Sequence, residues 1–213
     1  MKIKFFVFML IAVISFTLAI NNSCSNPEDI VMSEYSGSEG CDGQEYPVPS
    51  SSPYILPFQV GKSFQTGLTN CSSSYHAAGQ PDEYAFDFNM PVGTPFIAAR
   101  GGTVSMVVEN APSAGGGTGN YVLINHGDGT FAYYLHSPKD GIDVAIGDKV
   151  KQGDILGKTG KSGLAGYPHL HFIVVKDPPE YPYQGVAISF RNAKPNDVIL
   201  KGQTYYMAMP FNP

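Results

Sequence analysis

The sequence predicts a mainly β domain, a β-sandwich or barrel, and three observations carry that prediction. Charged residues make up only 15% of the chain while Gly reaches 24 and Pro 17, a balance that favours a turn-rich β protein over a helical bundle. From Tyr54 onward, short apolar runs rich in Val, Ile, Phe and Tyr alternate with turn signals at close spacing. No long stretch carries helical periodicity.

The predicted strands follow in order. They are YAFDF (84–88), TPFIAA (94–99), TVSMVV (103–108), NYVLIN (120–125), TFAYYLH (130–136), DKV (148–150), DILGK (154–158) and HLHFIVV (169–175). Between them lie Pro91–Val92–Gly93, the glycine-rich segment from Ala114 to Gly119, His126–Gly127–Asp128–Gly129, and the loop from Gly160 to Gly166. Gly supplies the positive φ that such turns need. From about Asn192 the chain reads as a terminal strand and tail, and it contains no internal repeat.

The N-terminus has a different character. Lys2 and Lys4 precede an apolar run from Phe5 to Ile20 and then small, polar residues. At about 16 residues, the run is short for a helix crossing the whole hydrocarbon core. A secretory signal over residues 1–23 is the expectation, with an uncleaved membrane anchor as the alternative. Cys24 stands where exported lipoproteins carry their lipidated cysteine, although Asn21 and Asn22 match that pattern poorly. With Cys24 lipidated, Cys41 and Cys71 remain, and an oxidising compartment would pair them in a disulfide. Residues 24–52 are polar, acidic and rich in Gly, Ser and Pro, which reads as a tether or loosely held arm. Residues 53–213 then suffice for one domain. A net charge of −5 with scattered Lys and Arg excludes an electrostatic nucleic-acid surface.

Three elements carry candidate chemistry. In Pro168–His169–Leu170–His171–Phe172, strand alternation turns His169 and His171 to one face and Leu170 to the other. Two imidazoles on one strand suit a metal ligand plus a catalytic partner, or a structural pair. Alternation likewise sets His136 on the side of Tyr134. Asp87 lies between Phe86 and Phe88, at a site or on the exposed side of an alternating strand. His126 reads as a turn residue.

Taken together, the pieces resemble lysostaphin- or LytM-type zinc peptidases of bacterial cell walls. YAFDFNMPVGTPFIAARGGTVSMV is similar to that family's aspartate segment, with its Pro-x-Gly-Thr-Pro and Ala-Ala-x-x-Gly-x-Val. NYVLINHGDGTFAYYLHS is similar to its Asn-Tyr-Val strand, His-Gly-x-Gly turn and Tyr-x-His, IGDKVKQGDILGKTGKSG to its Gly-Asp hairpins, and PHLHF closes the series. The resemblance runs from about Tyr54 to Val175. It implies a compact antiparallel β fold with an active-site groove and one zinc ion per chain. It further implies that Asp87 and His171 are zinc ligands, that His169 is the general base and that His136 stabilises the oxyanion.

The resemblance fails at one position. Where the family has the first ligand, four residues before the aspartate, this chain has Glu83. His76, in the loop CSSSYHAAGQPDEY, is the candidate third ligand. Glu83 itself, or a site that holds no metal, are the alternatives. The function implied is an exported peptidase acting on peptidoglycan peptides, at the periplasm, the outer membrane or cell surface, or secreted. It touches a membrane only through a lipid on Cys24 and is a monomer. A non-catalytic module that binds wall peptides or regulates a partner amidase is the second reading. A lipoyl-type carrier is disfavoured because Lys149, Lys151, Lys158 and Lys161 lack the required turn setting.

Overall fold

The computed structural model describes residues 40–111 and 116–212. The expected signal segment, Cys24 and the arm up to residue 39 lie outside the described residues. Among the described residues, no helix is long and apolar enough to cross a membrane.

Among the described residues eleven strands form: β1 (Ser63–Thr66), β2 (Phe86–Asn89), β3 (Pro95–Ile97), β4 (Gly102–Val108), β5 (Asn120–Asn125), β6 (Thr130–Ser137), β7 (Lys149–Val150), β8 (Ile155–Lys158), β9 (Leu170–Lys176), β10 (Ala193–Lys194) and β11 (Tyr205–Ala208). Each of the eight expected runs overlaps one of them. Nine strands make a single antiparallel sheet in the order β10-β11-β1-β2-β9-β6-β5-β4-β7, and β3 pairs with β8 in a second, small sheet. The fold is thus mainly β and antiparallel, as the composition and periodicity predict.

The main core lies between the two sheets. Phe86 and Phe88 from β2, Phe172 from β9, Tyr134 from β6, and Phe96 and Leu156 from the small sheet are fully or almost fully buried there. Edge-to-face aromatic contacts pack it, with Phe86 and Phe190 centroids 5.1 Å apart. The Tyr134 hydroxyl needs a partner in this apolar space, and it accepts the backbone N–H of Ala99 at 2.8 Å. The opposite face of β5, β6 and β9 carries a smaller apolar cluster of Leu123, Phe131, Tyr133, Leu135, Ile173 and Val175. Residues of both parities are therefore buried on the central strands, and the site grows at the end of this second face.

Part of the segment read as a tether is packed against the domain. Cys41 and Cys71 form the expected disulfide. Pro49 is buried, and Ser52 Oγ donates to the Ser189 carbonyl. The composition of residues 40–52 is that of a solvated arm, but the cross-link and these contacts supply the ordering that hydrophobicity does not.

Candidate metal centre

The strand pairing of β2 with β9 sets Asp87 directly opposite His171. Phe86, Phe88, Leu170 and Phe172 on the same two strands point into the main core, so alternation turns the acid and the imidazole together to the other face. Asp87 Oδ1 lies 3.0 Å from His171 Nδ1. The third strand, β6, pairs Leu135 with His171.

His136 does not follow Tyr134, as simple alternation predicts. The register between β5 and β6 runs from Tyr121–Leu135 to Asn120–Ser137, which leaves His136 as the extra residue of a bulge. Its φ of 74° is left-handed, a conformation that costs a non-glycine residue about 1–3 kcal/mol and collects at functional sites. The bulge re-aims the imidazole to the His171 face. Its ring centroid sits 4.7 Å from that of His169 and 5.7 Å from that of His171. Gly160 makes room for it: a Cβ there would meet the His136 carbonyl oxygen at 2.7 Å.

His76 arrives from a short 3-10 turn, Ser74–His76, three residues beyond the disulfide-bonded Cys71. The imidazole is 1% exposed, and its Nε2 lies 3.4 Å from Asp87 Oδ1. Its Nδ1 has no protein hydrogen-bond partner among the described residues. Glu83 takes no part in the cluster; its carboxylate instead accepts the Gly79 N–H at 2.7 Å and clamps the loop. His126 stands apart, with Nδ1 on the Gly101 carbonyl at 2.9 Å and its ring edge against Tyr54.

All five residues singled out in the sequence thus converge. Donor atoms of His76, Asp87 and His171 lie within 4.8 Å of one another, as do those of His136, His169 and His171. The first set suits zinc in both chemistry and spacing. Bonds of about 2.0–2.1 Å in a tetrahedron separate neighbouring donors by about 3.3 Å. The observed separations from Asp87 Oδ1 are 3.0 and 3.4 Å.

Electrostatics divide the histidines into two kinds. Burial resists charge on Asp87, but the imidazoles of His76 and His169 and the hydrogen bond to His171 outweigh it, and hold the carboxyl well below its usual range. Burial also resists charge on His171, yet hydrogen bonds to Asp82 and Asp87 hold it up at about 9. His136 and His169 go the other way. Burial first, then the neighbouring His171 and His169, push His136 down to about 3. Burial lowers His169 too, with Asp87 offsetting part of the effect. Both remain neutral near pH 7. Their tautomer follows from their partners: a carbonyl oxygen only accepts, so the Nδ1 of His136 donates to Ser162 (2.8 Å) and that of His169 to Tyr167 (2.8 Å). In each, Nε2 is left as a bare acceptor.

Residues 82–186 match peptidase family M23. The chain carries an M23 peptidase domain. Among curated relatives, an uncharacterized metalloprotease of Buchnera aphidicola is 32% identical over 57% of this chain and 30% of its own length. The peptidoglycan DD-endopeptidase ShyA of Vibrio cholerae is 42% identical over 42% of this chain and 19% of its own. Lysostaphin of Staphylococcus simulans is 40% identical over 42% of this chain and 17% of its own. The chain therefore spans less than a third of the length of these relatives. A solved lysostaphin structure from Staphylococcus simulans superposes on 57% of this chain and 47% of that one at 27% identity, with a TM-score of 0.46.

The M23 match begins at Asp82, so His76 lies upstream of it. Three residues of the M23 domain's site escaped the sequence reading. Tyr167 leans its ring on His169, with centroids 4.6 Å apart, and its hydroxyl is 3.4 Å from Asp87 Oδ2. It sits in the bend just before β9, outside the strand, so alternation does not place it. Asp82 Oδ1 lies 3.5 Å from His171 Nε2 and accepts a hydrogen bond from the Tyr183 hydroxyl. Nothing in the sequence links these two residues.

Proposed function

We propose that this protein is an exported zinc endopeptidase that hydrolyses peptide bonds in bacterial cell-wall peptidoglycan. One observation carries the reading: His76 Nε2, Asp87 Oδ1 and His171 Nδ1 gather around one point, beside two neutral imidazoles with free Nε2 atoms. The names of the relatives, a peptidoglycan DD-endopeptidase and lysostaphin, support the substrate class. The Cys41–Cys71 disulfide supports an oxidising compartment, and with it the signal over residues 1–23. A lipid on Cys24 belongs to the same reading.

His76, Asp87 and His171 would hold one zinc ion. When bound, the ion acts as a Lewis acid and makes water a nucleophile at neutral pH. The protein's own groups handle the protons. A water attacking a peptide carbonyl must lose a proton, and Nε2 of His169, unprotonated at neutral pH and 3.5 Å from Asp87 Oδ1, is suited to accept it. The imidazolium so formed returns that proton to the leaving amine. His136 offers the same bare Nε2, so it stabilises an oxyanion as a donor only once it has gained a proton. The bulge and the Ser162 carbonyl fix its ring for that task.

The approach of His76 to Asp87 favours this reading over a non-catalytic wall-binding module, whose motive was Glu83 at the usual first-ligand position. The test is zinc content by elemental analysis, together with digestion of isolated cell walls. The protein is expected to hold one zinc and to digest walls, and His171→Ala to lose both. Normal digestion by that variant would refute the assignment.

A further inference from the structure

His171 has two ring nitrogens, and the proposed zinc centre accounts for only one. Nδ1 turns to Asp87 at 3.0 Å, whereas Nε2 turns away from the cluster, to Asp82 Oδ1 at 3.5 Å. An imidazole that binds a metal through Nδ1 must carry its proton on Nε2, and that buried N–H requires an acceptor. Asp82 is the acceptor in reach. Its carboxylate is in turn held by the Tyr183 hydroxyl, which donates to the same Oδ1. Tyr183 is itself wedged by Tyr133 and Tyr181, each with its ring centroid 5.5 Å away. The chain of contacts therefore runs from an apolar cluster on the sheet, through a phenol and a carboxylate, to the far side of a ligand imidazole.

We propose that Asp82 is the positioning carboxylate of the metal centre: it fixes the tautomer and ring angle of His171, and Tyr183 acts through it. This rests on the zinc reading above. It also explains the local sequence. In this chain the residue at the family's usual ligand position, Glu83, serves as a loop clamp on Gly79. Its neighbour Asp82 lies against His171 instead, with Oδ1 3.5 Å from Nε2. One loop thus delivers a ligand, a clamp and a supporting carboxylate. The double acceptor set around His171, Asp87 on one nitrogen and Asp82 on the other, leaves its ring no alternative orientation of equal energy.

The test measures zinc affinity of the full chain by competition with a chromogenic chelator, for wild type, Asp82→Ala, Asp82→Asn, Tyr183→Phe and the double variant Asp82→Ala/Tyr183→Phe. Removing a supporting partner of a ligand histidine costs about 10- to 100-fold in metal affinity, and that is the loss expected of Asp82→Ala. Asp82→Asn keeps an acceptor oxygen and should fall between it and wild type; it also keeps the test valid if the alanine variant fails to fold. Tyr183→Phe should weaken zinc binding less than Asp82→Ala, and should add nothing in the Asp82→Ala background. The Nε2–H proton of His171 should resonate downfield in wild type and move upfield in Asp82→Asn. Wild-type affinity in both Asp82 variants would overturn the proposal, as would a Tyr183→Phe loss that persists in full without Asp82. If wild type holds no zinc, the metal reading falls and this inference with it. If wild type binds zinc and digests walls while the Asp82 variants bind equally well, only the role of Asp82 falls.

Discussion

Removing the Cys41–Cys71 cross-link, by Cys41→Ala/Cys71→Ala, should lower both global stability and the order of the His76 loop. The two cysteines are 30 residues apart. Closing a loop of that length removes about 12 cal/mol/K from the unfolded chain, which is about 3.6 kcal/mol near room temperature. Cys71 is small, so truncation leaves little cavity to add to this figure. Urea denaturation followed by far-UV circular dichroism measures the difference, with an unchanged slope showing that the extent of unfolding is the same. Because His76 lies five residues beyond Cys71, zinc affinity measured on the same samples should fall as well. A stability loss below about 1 kcal/mol would refute the loop-closure reasoning, since surface substitutions alone reach about half that size.

Three further outcomes follow. In the pH dependence of kcat/KM, the acid limb should lie below the ordinary histidine value of about 6.5, because burial keeps His169, the proton acceptor, neutral as pH falls past it; a limb at or above 6.5 would contradict this. Tyr134→Phe should cost about 1–3 kcal/mol in a denaturant titration, because the buried Ala99 N–H loses its acceptor. Gly119→Ala would press a Cβ to 2.7 Å from the Ser162 carbonyl oxygen at a φ of 79°, and should lower kcat while zinc content stays at the wild-type value; a parallel loss of zinc would show that the damage is not confined to the His136 support.

Much of the site was legible in the sequence because it obeys a two-residue period. Asp87 and His171 are flanked by apolar residues that must enter the core, which fixes the face of the charged pair without knowledge of the partner strand. His136 was placed wrongly by the same rule, since a bulge adds one residue and reverses the parity. Strand β1, with the polar sequence SFQT, gave no apolar alternation; it forms because β11 and β2 pair with it on both sides. Asp82 and Tyr183 meet across a sequence separation of 101, a proximity no local pattern encodes. Residues 40–52 looked like a tether because composition alone does not report a covalent staple.

The pairing of Asp87 with His171 on adjacent strands has a consequence for how such a centre can vary. A one-residue insertion within β2 or β9 would swing a donor through the sheet to the opposite surface, destroying the centre at a stroke. Among the described residues, the segment that delivers His76 belongs to no strand ladder and is held by its tether at Cys71 and by the Glu83 clamp on Gly79. Changes in length are therefore tolerable on one arm of the triangle and lethal on the other, and drift of the first donor along the chain, from the usual place to an upstream turn, is the direction such an asymmetry permits.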